Sequence, residues 1–269
     1  MATTNTRYFA ASTFDVHQDG NSWVTFKVAT IELLMYMGVE LPSWTLLAGC
    51  SAFTGLPNSV LHLWQLTDAS ALYQGKAYFE GLPGMKGTGG RRFYDTLIEM
   101  SGATDTLLLE AMPYDPQRSP TPGAKPPSKD GRFYFLWVEL TLLPGDVNRG
   151  TFCAAAQELL GIMKTELPTW KLVAAGSTIT GPTNTVMHLW QLDDANALLE
   201  GMNWFGENNR PYSTLARCCV RQKQQLFTSM SYNPLGKNNA SAQDEEDVST
   251  LKEIRDRFQL TLQDTKEAD

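Results

Sequence analysis

A long internal repeat constrains this chain more than any other feature. Leu41-Pro42-Ser43-Trp44 returns as Leu167-Pro168-Thr169-Trp170, and Asn58–Leu66 returns as Asn184–Leu192, both 126 residues later. Between 41–75 and 167–201, about 20 of 35 positions are identical, far beyond chance. A third match joins Met112-Pro113-Tyr114-Asp115-Pro116 to Met230-Ser231-Tyr232-Asn233-Pro234, now offset by 118. The eight lost residues fall near Gly81–Arg91, a glycine-rich loop found only in the first half. A period this long is a small domain rather than a solenoid unit, so the pattern is duplication and fusion. It predicts a first domain over 1–116, a Pro-rich linker over 117–130, a second domain over 131–234 and an acidic tail over 235–269. Pro113–Gly131 holds six prolines, a composition that makes an extended, semi-rigid connection.

Each half reads in the same order. Tyr8–Val16 and Arg132–Leu143 are rich in aromatic and β-branched residues and read as strands. Trp23–Val39 and Gly150–Glu166 carry apolar residues at helical spacing, stopped by Pro42 and Pro168. Trp44–Phe53 with Val60–Leu66, and Trp170–Ile179 with Val186–Leu192, read as hairpins. Asp68 and Asp194 are N-caps for the helices that follow. Thr106–Met112 and Leu226–Met230 supply a last strand. The order βαββαβ is the split-βαβ, ferredoxin-like unit, which sets the expected class as α+β.

The third strand also predicts how the halves assemble. Val60, His62, Trp64 and Leu66 alternate with Leu61, Leu63 and Gln65, and neither set is polar. A sheet with one wet face should alternate apolar and polar residues, so both faces must be covered. The other half of the chain is the nearest cover. The expectation is two tandem ferredoxin-like units forming an internal pseudo-dimeric α/β barrel.

Composition excludes several function classes. No apolar run approaches the roughly 20 residues of a membrane span, and Met1–Ala11 lacks a basic-then-apolar leader. The four cysteines, Cys50, Cys153, Cys218 and Cys219, have neither metal spacing nor a disulfide framework, and read as reduced thiols of a cytoplasmic protein. The net charge is −7, but nine acidic and four basic residues lie between Asp244 and Asp269. The remaining, nearly neutral body offers no footprint for nucleic acid. No zinc, triad or phosphate-loop pattern is present.

The His-Leu-Trp-Gln-Leu strand followed by Asp-Ala, at His62–Ala69 and again at His188–Ala195, resembles the NIPSNAP family of the dimeric α/β-barrel superfamily. The resemblance spans roughly 6–116 and 131–234 and is strongest in the second hairpin. It implies the barrel fold and one of several activities. The superfamily holds cofactor-free monooxygenases of aromatic polyketides, haem enzymes such as chlorite dismutases and aldoxime dehydratases, and muconolactone isomerases.

Three functional readings follow. In the first, the chain is an enzyme without a cofactor, acting on a hydrophobic, aromatic or polyketide-like metabolite. It works by acid/base chemistry (isomerisation, cyclisation, elimination) or by cofactor-independent oxygenation. His62, His188 and Glu139 are the candidate acid/base groups. Arg92 with Tyr94, and Arg210 with Tyr212, are candidate clamps for a substrate oxygen, and Trp64 and Trp190 would wall the pocket. In the second, a strand histidine holds haem. The third is a non-catalytic ligand-binding or scaffold protein. Each residue also has a structural reading: satisfied core histidines, a rim carboxylate at Glu139 paired with a base, packed rings elsewhere. The small residues Ala48–Ser51 and Ala174–Ser177 leave room either for a ligand or for close packing. Thr250 with Glu253 forms a capping box, and Leu251, Ile254, Phe258 and Leu262 share one helical stripe, suited to packing on its own body or on a second copy of the chain.

Overall fold

The computed structural model describes residues 6–53, 58–80, 89–116, 132–206 and 210–234. The expected linker, the tail helix and most of the glycine-rich loop lie outside these residues. In chain order the elements are β1 Tyr8–Val16, α1 Gly20–Glu40, β2 Trp44–Ala52, β3 Ser59–Leu66, α2 Ala71–Glu80, α3 Arg91–Glu99 and β4 Ser101–Ala111. They repeat as β5 Tyr134–Leu142, α4 Asp146–Glu166, β6 Trp170–Thr178, β7 Thr185–Leu192, α5 Asn196–Gly206, α6 Arg210–Arg217 and β8 Cys219–Ser229. Each half is therefore βαββααβ. The sequence reading missed α3 and α6 and started the last strands too late.

Local chemistry sets the element ends. Asp19 caps α1, accepting from the Ser22 amide at 2.7 Å. Asp68 accepts from the Ala71 amide at 3.1 Å and Asp194 from the Ala197 amide at 3.0 Å, satisfying orphan donors where α2 and α5 begin. Asn58 and Asn184 sit at positive φ just before β3 and β7, a conformation asparagine tolerates better than most residues.

The eight strands close into one antiparallel barrel in the order β1-β3-β2-β8-β5-β7-β6-β4. Two seams join the repeats. Cys50–Ala52 of β2 pair with Phe227–Ser229 of β8, and Leu109–Ala111 of β4 pair with Gly176–Thr178 of β6. Both faces of β3 and β7 are covered, as their two-sided apolar character requires. Phe9, Leu61, Leu63, Leu109, Phe135, Met187, Leu189 and Phe227 fill the barrel interior. The other sheet face meets the helices in two separate clusters, one per half.

In the helix layers each strand-leading tryptophan is pinned. Trp44 Nε1 donates to the Ala71 carbonyl and Trp170 Nε1 to that of Ala197, both at 2.7 Å. The rings lie so close across the helices that a Cβ on Gly75 or Gly201 would fall 2.3 Å from an indole atom. Glycine is required there by contact rather than by backbone angle.

Candidate functional site

His62 and His188 lie on the helix-facing side of the sheet, in the two separate clusters beside Phe26 and Phe152. Each is buried and bonded to a tyrosine from the other half. His62 Nε2 is 2.7 Å from Tyr232 Oη, and His188 Nε2 is 2.8 Å from Tyr114 Oη. The tyrosines belong to the Met-Pro-Tyr-Asp-Pro and Met-Ser-Tyr-Asn-Pro segments, which leave β4 and β8 and cross into the opposite half. Desolvation holds His62 down at about 3 and His188 at about 4, so both rings are neutral at pH 7. It also pushes both phenols upward. Burial disfavours whichever form is charged.

The residue after each tyrosine locks the crossing. Asp115 accepts from the Ala175 amide at 2.8 Å and pairs with Arg7 at 2.7 Å. Asn233, its repeat counterpart, accepts from the Gly49 amide at 3.2 Å. The small residues of β2 and β6 are thereby explained. A Cβ on Gly49 would meet the Tyr232 ring at 2.6 Å, and one on Gly176 would meet Leu109 at 2.8 Å. They admit the crossing segment and the neighbouring strand rather than a ligand.

Among the described residues, a cleft lies beside the second-half pair. In the second half, a volume of about 60 Å³ lies between the sheet and helices α4, α5 and α6. Leu140, Ala156, Trp170 and Phe205 give it apolar walls, and Tyr114, His188 and Tyr212 line it as well. Gln222 and Gln224 of β8 also line it, and no arginine or lysine is among its lining residues.

Of the other residues singled out from sequence, Trp190 lines the cleft and Trp64 is packed against Trp44 at 5.8 Å. Tyr94 and Tyr212 pack on Phe79 and Phe205 at 4.3 and 4.7 Å. Arg92 and Arg210 are exposed on α3 and α6, and Arg92 stacks over Phe93 at 4.6 Å. Neither arginine is among the residues that line the cleft, whereas Tyr212 is. Glu139 lies at the barrel rim on the opposite sheet face, 3.4 Å from Lys223, so it does not share a site with either histidine. Tyr114 and Tyr232 were visible in sequence only as a repeated motif. Their pairing with histidines 74 and 170 residues away has no local signature.

The same geometry tests the haem reading. An axial histidine needs an Nε2 lone pair facing an open space large enough for the macrocycle. Both Nε2 atoms already face a tyrosine hydroxyl, and the cleft is too small for a porphyrin. Among the described residues, no cluster of His, Cys, Asp or Glu is suited to a metal ion. These residues do not fit haem. Added haemin should therefore produce no shifted Soret band with a histidine-ligated spectrum. A band abolished by His188→Ala would contradict this.

No protein-family model and no curated protein matches the chain. Solved structures do match, at low identity. A protein provisionally named a monooxygenase from Fusobacterium nucleatum aligns with TM-score 0.61 and 12% identity, covering 87% of this chain and 96% of its own. An anthrone oxidase-like protein aligns at 0.56 and 10%, covering 87% and 96%. A chlorite dismutase variant from Candidatus Nitrospira defluvii aligns at 0.51 and 12%, covering 83% and 91%. A NIPSNAP family protein from Agrobacterium tumefaciens also aligns, over 42% of this chain at TM-score 0.35, too distant to carry weight. At such identities the likeness is one of fold: the chain shares with these neighbours its overall architecture of a closed eight-stranded barrel with helices on the outside.

Proposed function

We propose that the chain is a cofactor-independent small-molecule enzyme whose site is the second-half cleft. The observation that carries this reading is an apolar cleft with a neutral tyrosine–histidine pair in its wall. Concave apolar surface with a few convergent polar groups is the usual form of a ligand site. The neighbours described as monooxygenase and anthrone oxidase-like support a small-molecule chemistry by analogy of fold alone.

Size and charge narrow the substrate. An engineered cavity of about 150 Å³ holds benzene, so a cleft of about 60 Å³ takes in only one edge of a ring, with the rest of the molecule outside. A whole multi-ring polyketide is too large unless α5 and α6 shift outward. With no arginine or lysine among the described residues that line the cleft, a neutral ketone or phenol is favoured over a carboxylate.

The chemistry that fits is removal of a proton from carbon beside a carbonyl, the first step of both isomerisation and cofactor-free oxygenation. His188 accepts the proton on Nε2 as Tyr114 turns its O–H to the substrate oxygen. The electron pair of the broken C–H bond then resides on that oxygen. In isomerisation the same proton returns to a different carbon. A ring held near pKa 4 is a weak base, so the step depends on the enolate formed beside the imidazolium.

The test uses the repeat itself. Leu140 stands where the first half has Phe14, so Leu140→Phe should fill the cleft. Titration of the wild-type chain with p-cresol or acetophenone should perturb the fluorescence of Trp170 and Trp190. In Leu140→Phe the affinity should fall at least tenfold, since a lost ring contact of about 1.4 kcal/mol already gives that factor. Equal affinity in the two proteins would place binding elsewhere.

A further inference from the structure

We infer that the first half holds a shut copy of the cleft, and that Phe14 and Thr30 are the side chains that shut it. The inference rests on the second-half cleft being a ligand site, and it explains why one half alone would work.

The repeat lets the two places be compared position by position. His188 and Tyr114 answer to His62 and Tyr232. Trp170, Trp190, Leu172 and Phe205 answer to Trp44, Trp64, Leu46 and Phe79 without change of residue type. The polar pair, the indoles and the helix-side wall are therefore duplicated. The two inner positions at which the first half is bulkier are Phe14 for Leu140 and Thr30 for Ala156. Val138 and the two glutamines are larger than their counterparts Ser12, Thr104 and Thr106, so they cannot be what opens the second half.

The two residues occupy the space. The Phe14 ring packs 5.3 Å from Phe26 and 5.1 Å from His62, covering the imidazole. Thr30 is 1% exposed and bonds the Phe26 carbonyl at 2.9 Å. In the second half a leucine and an alanine stand at those positions, and both line the cleft. A phenyl ring and a β-branched hydroxyl replaced by an isobutyl and a methyl group leave room that neighbouring side chains refill only in part. The chain thus keeps two Tyr–His pairs but exposes one to ligand, so Phe14 and Leu140 act as the residues that decide which half is accessible.

The test is a binding stoichiometry in the full chain, with p-cresol as probe and calorimetry as readout. The wild type should bind one molecule, Phe14→Leu/Thr30→Ala two, and the same variant with Leu140→Phe one. A folded double variant that still binds one overturns the inference. Wild type binding none while the double variant binds one would uphold the shut copy and reject the open cleft as the site. Should the double variant fail to fold, Phe14→Leu alone keeps the Thr30 hydrogen bond and is measured the same way. Unchanged stoichiometry in that folded variant counts against the proposal equally.

Discussion

Lowering the pH from 7 toward 4 should destabilise this protein by several kcal/mol, so that acid unfolding sets in at a higher pH than it would without its two buried histidines. The cause is the two buried histidines. An unfolded histidine titrates near 6.5, whereas desolvation holds His62 at about 3 and His188 at about 4 in the folded chain. A base whose folded pKa is depressed contributes stability that is complete above 6.5 and is lost as pH falls toward the folded value. Each pH unit in that window costs about 1.4 kcal/mol per histidine. Asp115 works in the other direction: burial raises it to about 6 against the pull of Arg7 and the Ala175 amide. Its protonation between 6 and 3.8 therefore adds stability on acidification. One raised carboxyl offsets only part of two depressed imidazoles, and the remaining loss is a sizeable share of a domain's net stability of about 5–15 kcal/mol. Far-UV circular dichroism against pH gives the midpoint. His62→Gln/His188→Gln keeps an amide partner for each tyrosine and removes the titration, so its midpoint should move to lower pH. Superimposable curves for wild type and variant would show that the histidines are not responsible.

What the sequence reveals here depends on how far apart the interacting residues lie. The hairpins are legible because Asn58 and Asn184 punctuate apolar runs, and the barrel is legible because β3 has no polar face. Helices α3 and α6 escaped because Arg91–Glu99 and Arg210–Arg217 open on charged residues beside a glycine-rich loop and Pro211, which read as loop chemistry. Alternation along β5 places Glu139 on the face of Phe135 and Trp137. Alternation alone does not say which face meets the helices, so nothing in the sequence separated Glu139 from the histidines. The cleft was less legible still. It follows from Leu140 and Ala156 differing from Phe14 and Thr30, a contrast that acquires meaning only once these positions are known to line the space beside the histidines.

The crossing segments supply the other large effect. Arg7 donates to Asp115 at 2.7 Å, to the Pro116 carbonyl at 2.7 Å and to Gln65 at 2.9 Å. The side chain of Asp115 is only 3% exposed. Removing one partner of a buried pair leaves a charge without compensation and typically costs about 3–5 kcal/mol. Arg7→Phe should show a loss of that size in urea unfolding at pH 8. At pH 5.5 the loss should shrink, because the isolated carboxyl can take up a proton, and without Arg7 its pKa moves further upward. The histidine titrations affect wild type and variant alike in that range and cancel from the difference. The repeat supplies the compensating change: the first-half pair Arg7 and Asp115 corresponds to Phe133 and Asn233 in the second half. There Asn233 still accepts from the Gly49 amide, with no carboxylate to neutralise. Arg7→Phe/Asp115→Asn should therefore recover most of the stability lost in Arg7→Phe, at both pH values. An Arg7→Phe loss that is the same at pH 8 and pH 5.5, or that the second substitution leaves unrepaired, would mean that Arg7 stabilises the crossing by its packing on Phe9, 5.2 Å away, and not by its charge.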